Sequence, residues 1–82
     1  MLGMSLPVAL TTALSSADEL SWMLERVDVA RPDEAAWVAW QAEMLQHWAV
    51  VLALDEDQRY PALAAGLGEF ATTVLHQLDT HH

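Results

Sequence analysis

Glu43 and His47 stand four residues apart in a run that reads as helix, so a carboxylate and an imidazole share one side of it. With His76 from a later helix they could chelate a metal ion. The set is thin, because a di-iron bundle places Glu and His three residues apart and repeats the pair on other helices, and residue 46 here is Gln46. We therefore read His47 as a residue that hydrogen-bonds or sits at the edge of the tryptophan face, and expect neither metal nor cofactor. The acidic run Asp55, Glu56, Asp57 invites a calcium reading. A loop begun at Asp55, however, would put Arg59 at its fifth position, Tyr60 where the glycine belongs and Gly66 in place of the bidentate glutamate. It reads as a solvated turn and helix cap. His81 and His82, at the end of the chain, are not read as ligands.

Catalytic groups are scarcer still. The chain has no lysine and no cysteine, which removes Schiff-base chemistry, thiol nucleophiles, thiolate metal sites and disulfides. No glycine-rich phosphate loop and no Gly-x-Ser-x-Gly elbow occurs, and Ser5, Ser15, Ser16 and Ser21 lie in no Asp-Ser-Leu context that would take a carrier arm. No carboxylate and histidine are fixed by spacing into an acid and base pair. The expectation is a protein that is not an enzyme.

Tryptophan is the residue type in excess. Residues 37–48, "WVAWQAEMLQHW", hold three of the four in the chain. On a helical wheel Trp37, Trp40, Met44, Trp48 and Val51 share one face, while Ala35, Ala39, Ala42, Ala49 and Ala53, with Gln46, share the opposite one. A helix apolar on both faces is buried on more than one side. The fourth tryptophan, Trp22, falls among Asp18, Glu19, Glu25 and Arg26, so it is expected to be at least partly exposed, with Arg26 placed to stack over its ring. Tryptophan and arginine are enriched at binding hot spots. Trp22, Arg26, Trp37, Trp40, Met44 and Trp48 are the candidate interaction residues.

Three helices must position these side chains, at about 6–27, 32–54 and 59–79, and no stretch alternates long enough to make a strand. The fold class expected is all-α, an antiparallel three-helix unit formed by one domain over residues 1–82. In the first helix Ser5 suits the N-cap. Leu6, Leu10, Ala13, Ala17, Leu20, Leu24 and Val27 form a heptad seam that crosses Ser15 and Ser16 in register. That continuity favours a start near residue 6 over one at Ser16, where "SADE" resembles a capping box. Pro32 suits the first position of the second helix, with Asp33 and Glu34 facing the positive end of its dipole. The third helix, starting between Gln58 and Pro61, carries Leu63, Leu67, Phe70, Val74 and Leu78 on one face. Gly66 and Gly68 interrupt it and mark a kink or a close contact.

Charge narrows the partners. Twelve Asp and Glu against three Arg give a formal charge of −9, and three scattered arginines cannot grip a nucleic-acid backbone. The same field attracts basic proteins, repels anionic membranes and keeps a chain that is 54% hydrophobic in solution. The N-terminal run has the small and apolar residues of a signal peptide but no Lys or Arg before them, and the longest apolar region, 37–54, is broken by Gln41, Glu43, Gln46 and His47. A cytoplasmic protein without a membrane span is expected.

An 82-residue chain with no disulfide often leans on a second copy for stability. If the tryptophan face of the second helix packs inward, the flat alanine face is free for a second chain; if the alanines pack inward, three tryptophans lie outside. The size of the tryptophan face suggests that it spans core and interface, and both routes lead to a homodimer. The function expected is a non-enzymatic helical protein–protein interaction module, a small regulator or adaptor acting as a homo-oligomer. The alternative is an acidic decoy or inhibitor, a nucleic-acid mimic or an immunity or antitoxin-like protein, that occupies the basic site of a partner.

Overall fold

Proline and the apolar periodicity fix where the helices lie. In the computed structural model, which describes residues 6–55 and 59–81, the chain forms α1 (Leu6–Arg26), α2 (Pro32–Ala53) and α3 (Pro61–His81), with no strand among the described residues. Pro32 and Pro61 each open a helix, where the missing N–H costs nothing. α1 runs unbroken through Ser15 and Ser16. Ser5, Glu56, Asp57, Gln58 and His82, which carry parts of the sequence reading, lie outside the described residues.

The turn between α1 and α2 is tied by carboxylates. Asp28 accepts from the Ala30 N–H at 3.0 Å, and Glu34 reaches back from the first turn of α2 to accept from the Asp28 N–H at 3.2 Å. Arg31, the N-cap residue, makes no side-chain cap. At the other connection Asp55 accepts from both the backbone N–H and Nε of Arg59, at 3.0 and 3.3 Å, so the residue is a structural clasp.

α2 packs against both neighbours, while α1 and α3 barely meet each other. Gln46 of α2 reaches Thr72 of α3, and Ala49 lies opposite Gly68, so numbering falls along one helix as it rises along the other: the pair is antiparallel. The result is a helical bundle in which α2 is the shared element.

Two expectations about faces are corrected. The inward stripe of α1 is Ala9, Ala13, Ser16, Leu20 and Met23. Leu10, Ala17, Leu24 and Val27 are only partly buried beside it. The helix is rotated by about 50° from the expected seam. The physical reason is Gln41, buried on α2, whose amide donates to the Ser16 hydroxyl at 2.9 Å and the Ser16 carbonyl at 3.2 Å. A buried amide without a partner is costly, so the face that carries Ser16 turns inward. The inward stripe of α2 is Ala35, Val38, Gln41, Ala42, Leu45, Ala49 and Leu52, and its centre lies about 120° round the helix from the tryptophan face. The inward face is thus neither of the two expected rows: small side chains admit the neighbouring helix, Trp48 and Val51 pack against the core from its edge, and Trp37 and Trp40 are exposed. α3 buries Ala64, Leu67, Ala71, Val74 and Leu78, with Leu63, Phe70 and Leu75 packed beside them.

Of the two glycines in α3, Gly68 sits at the close approach, where an added Cβ would lie 3.6 Å from the Cβ of Ala49. Gly66 faces open space, and the helix continues through both.

Candidate functional site

Trp22 stands on the outer side of α1, 44% exposed, and the Arg26 guanidinium lies 5.3 Å from its ring centroid. One turn separates the two residues, and Glu25 holds the same guanidinium at 3.1 Å. On α2, Trp37 is 44% and Trp40 56% exposed. Met44 and Trp48 are half-buried. The His47 ring meets Trp48 edge-on, with centroids 5.7 Å apart.

These residues gather along one side of the α1–α2 pair. A groove of about 360 Å³ runs between the helices. Thr12, Ser15 and Glu19 line it from α1, Trp40, Met44 and Trp48 from α2, and the Ser16–Gln41 pair also borders it. Ser15 and Glu19 also border the depression that holds Trp22 and Asp18, so Trp22 and the Trp40–Met44–Trp48 row belong to one continuous surface. Trp37 shares the wheel face of that row but does not line the groove.

Acidic side chains predominate on this side, with Arg26 over the Trp22 ring as a cation among them. Arg26, Arg31 and Arg59 each lie beside a carboxylate near in sequence: Glu25 at 3.1 Å, Glu34 at 3.7 Å and Asp55 at 3.3 Å. Asp18, Glu19, Asp33 and Glu43 are exposed, and no arginine among the described residues bridges to them.

The sequence candidates for metal chemistry are not assembled. Glu43, His47 and His76 are all exposed, and the described residues contain no group of three or more His, Asp or Glu able to hold an ion. Two features escaped the sequence reading. Glu19 reads as an ordinary wet-face residue, yet it lies where both aromatic depressions meet. The buried Ser16–Gln41 bond was signalled only by a polar residue in each of two apolar runs. A larger cleft of about 640 Å³, on the opposite flank between α2 and α3, is lined by small residues such as Ala49, Ala53, Ala65 and Gly68.

Fold and surface together define an all-α three-helix bundle that exposes tryptophans along one flank. Comparison with protein-family models, with curated proteins and with solved structures finds no match. No described helix is long and apolar enough to cross a membrane.

Proposed function

We propose that this chain is a non-enzymatic helical protein–protein interaction module, a small regulator or adaptor that acts as a cytoplasmic homodimer. The observation that carries the reading is the outward placement of Trp37 and Trp40 beside the half-buried Met44 and Trp48. Each tryptophan can bury about 150 to 250 Å², and a contiguous apolar patch of several such side chains exceeds what a monomer ordinarily leaves in water. With the alanine stripe turned toward the bundle, the tryptophan flank is the surface left for a second copy.

Sedimentation equilibrium at micromolar concentration tests this. The wild type should run at about twice the chain mass, and Trp40→Ala should shift it toward monomer while leaving helicity intact. A folded wild-type monomer at those concentrations would overturn self-association. Two copies of a chain at −9 repel, so added salt should strengthen the dimer.

The acidic-decoy reading is favoured by a separate observation, the three arginines each occupied by a neighbouring carboxylate. A decoy would bind its partner through charge spread over the whole surface. Its affinity would fall with each acidic residue neutralised, wherever that residue lies.

A further inference from the structure

We infer that the α1–α2 groove receives a basic amphipathic helix of a partner protein, with a Lys or Arg of that helix seated against Glu19 between the tryptophans. The inference rests on the reading of the tryptophan flank as a binding surface, and names its occupant.

Three observations fit that occupant. The first is length: Trp40 and Trp48 lie eight residues apart on α2, about 12 Å of helix axis, so the aromatic row of the groove matches about two turns of a helix laid alongside. Helices dock in such grooves through side chains spaced three and four apart. The second is the chemistry of the walls. Trp40, Met44 and Trp48 offer rings and a polarisable thioether to an apolar face, and Met adapts to irregular surfaces. The third is charge. Glu19 borders both aromatic depressions, is exposed, and has no arginine bridged to it. A carboxylate among tryptophan faces attracts a cation twice, by Coulomb attraction and by the ring quadrupoles. Asp18, Asp33 and Glu43 extend the same sign around it.

A second copy matches this groove less well. It would bring Glu19 and Glu43 of one chain toward the acids of another, whereas a Lys- and Arg-flanked helix meets mostly opposite charge, Arg26 being paired with Glu25. The two occupants also share Trp40, so partner binding should release the homodimer.

The test uses a synthetic amphipathic helix of Leu and Lys as probe, with a Leu and Glu peptide of identical apolar face as control. Binding to the full chain is followed by tryptophan fluorescence, and the mass of the complex by sedimentation. The expected result is saturable binding of one Lys peptide per chain, weakened by salt, and no binding of the Glu peptide. Glu19→Lys should weaken it by roughly tenfold or more, the scale of a close interfacial charge pair. Glu69→Lys, an equal charge change on the exposed side of α3, should weaken it by less than about threefold. Trp40→Ala should weaken it with helicity unchanged.

Equal losses in Glu19→Lys and Glu69→Lys would overturn the inference in favour of diffuse charge attraction. Equal binding of both peptides would overturn it in favour of unselective apolar adhesion. A wild type that dimerises through Trp40 but ignores the Lys peptide would sink this inference and leave the interaction-module reading standing. A folded monomer that ignores the peptide would remove both.

Discussion

α2 is held differently on its two flanks. Toward α3, where its contact is the more extensive, small buried side chains are interspersed with Leu67, Val74 and Leu78. Ala35, Ala42 and Ala49 sit on one helix and Ala64 and Ala71 on the other, and Gly68 lies opposite Ala49. Small side chains let backbones approach, and the energy comes from many close contacts. Toward α1, Leu20 and Met23 are fully buried beside Ala9 and Ala13, and a polar pair, Ser16 and Gln41, lies among them at the border of the groove. The first flank keeps a cleft of about 640 Å³ lined by small residues. The second leaves a groove bordered by tryptophan. Fit by backbone approach leaves a cleft walled by small side chains, whereas fit around one fixed polar bond leaves a groove walled by large aromatic ones, which offer a third body more apolar area to pack against.

The comparison is broken most severely by emptying the α1 flank. Met23 is wholly buried, so Met23→Ala should cost about 2 to 5 kcal/mol in urea unfolding. A loss below about 1 kcal/mol would mean that α1 is only loosely attached. Next comes overfilling the α3 flank. Ala71 has no exposed surface, and Ala71→Leu should cost about 1 to 3 kcal/mol by forcing the helices apart. Ala65→Leu, on the exposed side of the same helix, should change stability by less than about 0.5 kcal/mol. Similar effects at the two positions would show that α2 and α3 are not closely packed.

A double-mutant cycle on the polar pair sharpens the contrast. Gln41→Leu removes both hydrogen bonds to Ser16 and keeps most of the side-chain volume. Its expected cost is about 1 to 2 kcal/mol, because the Ser16 hydroxyl then loses its partner from α2. Adding Ser16→Ala should recover part of that loss, since replacing both polar partners by apolar ones is often close to neutral. Strictly additive losses would mean that the pair is not coupled.

That pair also explains what could and could not be read in the chain. The breaks before Pro32 and Pro61 were legible because proline and acidic residues mark helix starts by local chemistry. The α3 stripe was legible in Leu67, Val74 and Leu78, while Ala64 and Ala71 take the innermost places beside them and Leu63 and Phe70 are only partly buried. In α1 two heptad rows overlap, one through Leu10, Ala17 and Leu24, the other through Ala9, Ser16 and Met23. Hydrophobicity favoured the first, and only the need of a buried Gln41 for a partner on another helix selects the second. In α2 the difficulty was greater, because apolar side chains surround the helix and periodicity names no inward face. The row Val38, Leu45 and Leu52, which lies inward, belonged to neither expected face; the decision rests on how closely α3 can approach. Trp22 was legible from its charged neighbours on the wheel. The place of Glu19 between two depressions depends on how α1 lies against α2, and no local pattern records that.

Among the large side chains, a small effect on stability is expected at Trp22. Trp22 lies outside the buried stripe of α1, is 44% exposed, and is covered on one side by the Arg26 guanidinium, itself on the surface. Removing the ring forfeits that stacking, which at an exposed site is worth about 0.5 to 1 kcal/mol, together with part of its apolar contact along α1. Trp22→Ala should therefore melt within about 1 kcal/mol of wild type. Truncation of a buried tryptophan, by contrast, costs about 3 to 5 kcal/mol. A loss in that range would place Trp22 in the core and remove it from the binding surface. If stability is kept while affinity for a basic helix drops, the ring serves recognition, and the flank that α1 leaves open is the functional side of the molecule.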